Sequence, residues 1–262
     1  LGDHLLPELR EQGIGLLSPK ELDRSERLDL DALFESTIFP VLTPLAVDPG
    51  HPFPYISNLS LSVAVQVRDA QTGAEHFARV KVPRSLPRWI PVRKPFWFVP
   101  LEQVIGAHLD KLFPGMEVRD WYLFRITRNS DIELAPSEEA EDLLESIEEQ
   151  VFRRRFGEVV RLEVEDETPQ AVRSLLLEEL RDDRLPLTAA LADHDVHEVG
   201  PLLELGQLMD LAVLDMPALR DPAFVPVTPR PFRESNGALF DAIRQRSVLV
   251  HHPFESFATT VE

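Results

Sequence analysis

The sequence predicts an α+β fold: a mixed sheet with packed helices, preceded by a short helical segment. Three observations point to it. Apolar and polar residues alternate from Leu59 to Arg68, and a second strand-like run spans Phe77 to Val82; a period of two sends successive side chains to opposite faces of a strand. Between Leu101 and Leu180 helix-like and strand-like stretches take turns. Ahead of both lies a proline-rich run that no helix can cross. A hairpin followed by strands interleaved with helices gives a mixed sheet carrying helices.

Residues 1–37 read as helical. Leu5, Leu6 and Leu9 form a stripe, Gly13 and Gly15 break it, and Ser18-Pro19 has the form of an N-cap followed by proline at the first helical position. Leu28, Leu33 and Phe34 carry apolar spacing on towards Ile38. Two short helices cannot enclose a core, so we expect the tail of a preceding helical domain. From Phe39 to Leu61, Pro40, Pro44, Pro49, Pro52 and Pro54 each remove a backbone donor, yet Phe39, Val41, Leu42, Leu45, Val47, Phe53, Tyr55 and Ile56 keep the run apolar. We expect an extended segment at the core edge or in an interface, with Asp48-Pro49-Gly50 as a turn.

Leu59, Leu61, Val63, Val65 and Val67 predict a half-buried strand, Asp69 to Gly73 a turn, and Phe77 to Val82 its hairpin partner. Pro83 to Pro95 reads as irregular, and Pro95 to Val99 as a third strand. In Leu101–Leu112, Val104, Ile105, His108, Leu109 and Leu112 share a helical face, and Phe113-Pro114-Gly115 stops it. Met116 to Thr127 is a long strand turning at Asn129-Ser130-Asp131. Ser137 to about Arg155 is a helix with Glu138, Glu139 and Glu141 at its start and Arg153, Arg154 and Arg155 at its end, as the macrodipole prefers. A strand at Val159–Val164 precedes a helix capped by Thr168-Pro169, with Val172, Leu175, Leu176 and Leu180 inward. A polar connection, a short strand at Val196–Val199, a helix over Leu202–Val213, a proline-rich linker over Pro217–Pro231, a helix over Asn236–Arg246 and a buried strand at Val248–Val250 complete the chain. The domain limits this suggests are 1–37, 38–234 and 235–262.

The chain of 262 residues is 44% hydrophobic and 27% charged, ordinary for a globular protein with a sizeable core. The absence of cysteine excludes disulfides, thiolate chemistry and cysteine-ligated zinc, and fits a cytoplasmic protein. No signal-peptide pattern opens the sequence and no apolar run approaches the ~20 residues of a membrane span, so membrane insertion is not expected. The net charge of −18 opposes generic nucleic-acid binding, which needs cations against phosphate. A polyanion site must therefore be a local basic patch.

Common catalytic signatures are missing. There is no GxxxxGK[ST] phosphate loop, and Gly13-Ile14-Gly15 lacks the strand and third glycine of a dinucleotide fingerprint. No carboxylate pair is singled out for hydrolysis. His51, between prolines, suits a structural hydrogen bond, and His194 and His197 suit a solvated loop better than a metal site. We therefore assign no catalytic and no metal residue.

Several runs resemble one family. LTPLAVDPGHPFPYISNLSL (Leu42–Leu61), FARVKVP (Phe77–Pro83), FVPLEQVIGAHLDKLFPGMEV (Phe98–Val118), FRITRNSDIEL (Phe124–Leu134) and VLVHHPFESF (Val248–Phe257) resemble, in order, the large bacterial polyphosphate kinase of the phosphohistidine type. The resemblance covers nearly the whole chain but only part of the family's length. It implies the end of an N-terminal domain, a middle (head) domain and the start of a C-terminal catalytic region. It further implies reversible transfer of the terminal phosphate of ATP onto polyphosphate, with magnesium and ATP as the full-length enzyme's cofactors and none bound by this chain alone. The expected partners are the rest of the kinase chain, a second copy in a homo-oligomer, and polyphosphate; the full-length enzyme is expected in the cytoplasm or associated with a membrane surface.

Arg79, Lys81, Arg84, Arg88, Arg93 and Lys94 form a basic patch with no acidic residue between them and with Trp89 and Trp97 within or beside it. Arg79, Lys81, Arg84 and Arg88 are candidates to contact a phosphate chain or a partner subunit; alternatively the patch pairs with carboxylates and covers the tryptophan faces. His251, His252 and Ser256 follow the expected strand at Val248–Val250, and strand ends are where α/β folds place ligands. The resemblance makes them the rim of a catalytic domain rather than the phosphorylated site, and Phe254 stands where the family is expected to have tyrosine. The reading is thus a mainly structural, subunit-contacting piece of a polyphosphate kinase, inactive alone; the alternative is a stand-alone assembly or polyphosphate-binding module.

Overall fold

Strand β3 (Leu61–Asp69) is the third strand of a six-stranded sheet and has both faces covered. In this computed structural model, which describes residues 1–47, 53–93, 95–129, 157–181, 191–200, 202–235 and 238–261, the order is β2 (Pro44–Val47), β4 (Glu75–Lys81), β3, β7 (Met116–Arg128), β8 (Val159–Val164), β9 (Val196–Glu198). Among the described residues of this sheet, β8 and β9 pair in parallel and the other neighbours are antiparallel.

The expected half-buried strand is instead buried on both sides. Leu61, Val63, Val65 and Val67 feed one apolar cluster with Ala78, Val80 and Leu123. Ala64 on the opposite face joins Ile56, Phe77, Phe124, Ile126, Leu162 and Leu176 in a second. The small residues Ser62 and Ala64 make that second layer possible, and period two reports only the larger side chains. The hairpin turn follows its residues: Asp69 Oδ1 accepts from the Gln71 and Thr72 N–H groups at 2.7 and 2.8 Å.

The first 37 residues do not form a separate domain. Helices α1 (Leu5–Glu11) and α2 (Arg24–Leu33) are present, but between them Ile14–Leu16 is a strand, β1. It pairs in parallel with β6 (Phe96–Pro100), which pairs with β5 (Trp89–Arg93) inside the stretch expected to be irregular. Gly15 lies opposite Trp97 in that register, and a Cβ on it would sit 2.2 Å from the indole. The glycine read as a helix breaker is therefore what lets the indole lie on the strand. The Ser18 N-cap is observed, with the Ser18 N–H donating in return to the Glu21 carboxylate, and Asp23 caps α2 in the same way with Glu26. Leu17, Leu30, Phe34 and Ile38 then enter the first apolar cluster, which joins this segment to the sheet.

The proline-rich stretch holds β2 at the sheet edge. Ile56 is fully buried, while Phe39, Val41, Leu45 and Tyr55 are exposed. Asp48-Pro49-Gly50 and His51 lie outside the described residues, as do Ser137–Arg155 and its terminal charges. Helix α3 (Leu101–Ala107) breaks at His108 before α4 (Leu109–Leu112). Helix α5 (Gln170–Leu180) packs Val172, Leu176 and Leu177 on the sheet. Its N-cap position is Pro169, and the Thr168 hydroxyl is buried without a partner among the described residues.

Two compact units result, Leu1–Ala212 and Val213–Glu262, in place of the expected limits near 37 and 234. The expected helix over Leu202–Val213 is a 3₁₀ turn, Leu205–Leu208, and a single α turn, α6 (Met209–Ala212). The second unit contains α7 (Arg230–Glu234), α8 (Leu239–Gln245) and one parallel bridge, Val227 to Glu255. Val248–Val250 is neither strand nor core: it has no strand partner among the described residues, and Leu249 is 94% exposed.

Candidate functional site

The basic patch splits into residues neutralised by carboxylates and residues that are not. Arg88 is withdrawn from the surface. Its side chain is 4% exposed, and its Nη2 and Nε donate to Glu102 Oε1 at 2.5 and 3.0 Å. Nη1 and Nη2 also donate to the Glu204 and Leu203 carbonyls at 2.9 and 2.7 Å. The guanidinium lies 5.0 Å from the Trp89 ring, whose Nε1 donates to the Gln207 carbonyl at 3.0 Å. Arg88 and Trp89 thus clamp the Leu203–Gln207 turn onto the sheet. Arg84 pairs with Glu204 at 2.8 Å, and Arg93 grips Glu26 on α2 with a second contact at 2.7 Å. Arg10 and Arg93 stand over the Trp97 ring at 5.3 and 6.0 Å. Lys94 lies outside the described residues.

Arg79 and Lys81 share a face of β4, as their spacing predicts, and both reach the turn at Tyr55–Ser57. Arg79 is 4% exposed. Its Nε donates to Ser62 Oγ at 3.2 Å, Nη1 reaches the Tyr55 carbonyl at 3.5 Å, and Nη2 is buried without a partner among the described residues. Burial lowers the Arg79 guanidinium to about 10. Lys81 Nζ donates to Ser57 Oγ at 3.4 Å.

A third cation on this turn was not singled out from sequence. Arg128, at the end of β7, donates to the Ile56 and Gly157 carbonyls at 2.9 and 2.7 Å, and its guanidinium is 4.5 Å from the Tyr55 ring. Burial lowers it as well, with Tyr55 opposing. A lone arginine at a strand end carries no local signature, because its carbonyl partners lie 72 residues earlier and 29 residues later.

Glu165 was also missed. It accepts from the Leu123 N–H at 2.7 Å, yet burial, helped by Asp166, Glu102 and Glu167, raises it to about 7. In the second unit His251 is exposed, His252 Nδ1 lies 2.8 Å from the Glu255 carbonyl, and Ser256 Oγ accepts from the Thr259 N–H at 3.3 Å. His251 and His252 pack on Phe254 and Phe257 at 4.9 and 5.3 Å between ring centres. Their backbone turn is held by Glu255, whose N–H donates to the His251 carbonyl at 3.0 Å. His194 is exposed beside Asp195. Among the described residues, no group of three or more His, Asp or Glu side chains is placed to hold a metal ion, and no helix is long and apolar enough to cross a membrane.

These features define an α+β unit whose arginine–carboxylate pairs tie distant segments together, with a cation-lined turn packed against β4 and the end of β7. A family model described as the polyphosphate kinase middle domain matches residues 25–211, and the chain belongs to that family. Curated polyphosphate kinases of Mycobacterium avium and Mycolicibacterium gilvum are 45% and 44% identical over 273 and 268 aligned residues, covering 99% of this chain. The chain spans about a third of their length, 36% and 35%. The crystal structure of polyphosphate kinase from Porphyromonas gingivalis has the same fold over 97% of this chain and 36% of its own, with a TM-score of 0.71 at 23% identity.

Proposed function

We propose that this chain is the architectural part of an enzyme that reversibly transfers the terminal phosphate of ATP onto polyphosphate through a phosphohistidine. One observation carries the reading: the similarity runs through 99% of the chain but 36% of the relative. Magnesium and ATP are then held by the remainder of the protein, as is the phosphoryl-accepting histidine that the family resemblance implies. This chain supplies a rigid body, through Arg88–Glu102 and Arg93–Glu26, and a surface for the rest of the kinase chain and for a second copy.

The second unit supports this role. Val213, Phe224, Val225, Phe240 and Leu249 are all more than half exposed. That much apolar surface is costly in water at about 25 cal/mol per Å². Cover from the catalytic portion removes the cost and seats His251, His252 and Ser256 at its rim. The full-length protein is expected in the cytoplasm, with any membrane contact at the surface.

The test is to incubate the purified chain with γ-labelled ATP and magnesium and look for acid-labile, base-stable label. We expect none. Label on the chain would overturn the architectural reading and make His251 and His252 the first positions to substitute.

A further inference from the structure

The three cations on the Tyr55–Ser57 turn are not explained by a scaffold role. Arg88, Arg84 and Arg93 each hold a carboxylate. Arg79, Lys81 and Arg128 hold none among the described residues, although carboxylates outnumber cations 45 to 27 in the chain. Their acceptors are neutral oxygens; Arg79 Nε lies 3.2 Å from Ser62 Oγ, and the contacts to the turn are longer, 3.5 Å from Arg79 Nη1 to the Tyr55 carbonyl and 3.4 Å from Lys81 to Ser57 Oγ. Charge-assisted bonds to an oxyanion run about 2.7–2.9 Å. Among the described residues, a buried guanidinium with an unused Nη2 donor stands on the same turn as a lysine and a second half-buried guanidinium, an arrangement whose donors and charge fit an oxyanion.

We infer that the Tyr55–Ser57 turn, with Arg79, Lys81 and Arg128, is an oxyanion site for the phosphate groups of a polyphosphate chain. The inference rests on reading the chain as part of a polyphosphate kinase. Three positive charges overmatch one carboxylate and suit the repeated charges of linked phosphates. The forked guanidinium presents two parallel donors to phosphate oxygens. Lys81 and Tyr55 are exposed and Arg79 lies beneath the turn, so the chain docks on Lys81 first. Its next phosphate displaces the long Nη1–Tyr55 carbonyl contact and takes both Nη atoms. Arg128, on shorter bonds, stays and holds the turn.

The experiment is a calorimetric titration of the purified chain with inorganic polyphosphate, repeated with added salt. Lys81→Glu is compared with Lys111→Glu, which makes the same charge change at a surface lysine paired with Glu35. Both lysines are accessible, so both variants are expected to fold. Lys81→Glu should weaken binding about tenfold or more, the worth of one charge-assisted contact, while Lys111→Glu stays within about twofold. Equal losses in the two variants, or no binding by the unaltered chain, would overturn the site and leave the scaffold reading standing. Orthophosphate binding as tightly as polyphosphate would overturn the assignment to a chain ligand. Label from ATP on a chain that still binds through Lys81 would overturn the scaffold reading and not the site.

Discussion

His108 and Asp31 face each other across the junction of α3 and α2, with Nε2 2.8 Å from Oδ1. The other ring nitrogen, Nδ1, lies 2.8 Å from the Val104 carbonyl, so both nitrogens face acceptors. The ring stacks on Phe34 at 4.1 Å with an interplanar angle of 9°. One side chain thus terminates α3, caps its backbone and holds the N-terminal helix against the first apolar cluster.

A double-mutant cycle on this contact should show coupling. His108→Gln is expected to cost about 1–2 kcal/mol through the lost stack and bond. Asp31→Asn should cost less than about 1 kcal/mol, since Asp31 is nearly half exposed. Urea midpoints of the two single variants and the double variant measure it. Additive losses would mean that the two residues stabilise the junction independently.

Glu102 and Arg88 give the larger effect. Glu102→Gln leaves a buried guanidinium without its counter-charge and should destabilise the first unit by about 3–5 kcal/mol. The double change Arg88→Met with Glu102→Leu should recover much of that loss. It should also release the Leu203–Gln207 turn, because the carbonyl bonds of Arg88 go with it. Thermal denaturation reads the first effect and hydrogen exchange at Leu203–Gln207 the second. If the double variant is as unstable as the single, hydrogen bonding outweighs charge burial at this site.

Glu165 should make stability fall as pH rises. Its folded value, about 7, lies above the ordinary value of 4.5. Its contribution is therefore fully present below about pH 4.5 and is lost as pH rises through about 7. The ceiling is on the order of 3 kcal/mol, less where solvent screens the partly buried carboxyl. Glu165→Gln keeps an acceptor for the Leu123 N–H and should flatten the fall between pH 5 and 8. An unchanged pH profile of the melting temperature would place the titration elsewhere.

Local signals account for most of the fold. Alternation in β3, the apolar spacing of α5 and the Ser18–Glu21 cap need only neighbours a few residues apart, so they are legible without a structure. The site was half legible. The run of cations from Arg79 to Lys94 stands out in sequence, but Glu102, Glu204 and Glu26 neutralise Arg88, Arg84 and Arg93 from 14, 120 and 67 positions away. Arg128 has no local signature at all. Val248–Val250 shows the reverse error: an apolar triplet reads the same whether it is core or surface, and here it has no partner strand among the described residues.

By itself, the sequence determined the α+β class, the positions of the principal strands along the chain and the family, because periodicity, capping and long motifs are properties of contiguous residues. Tertiary structure alone decided that residues 1–37 belong to the main core, that Ile14–Leu16 is a strand made by pairing with Phe96–Phe98, and that Arg79 has no carboxylate partner among the described residues where Arg88 has one. Pairing and charge compensation depend on which distant segments meet, and the folded chain sets that by burying both faces of β3.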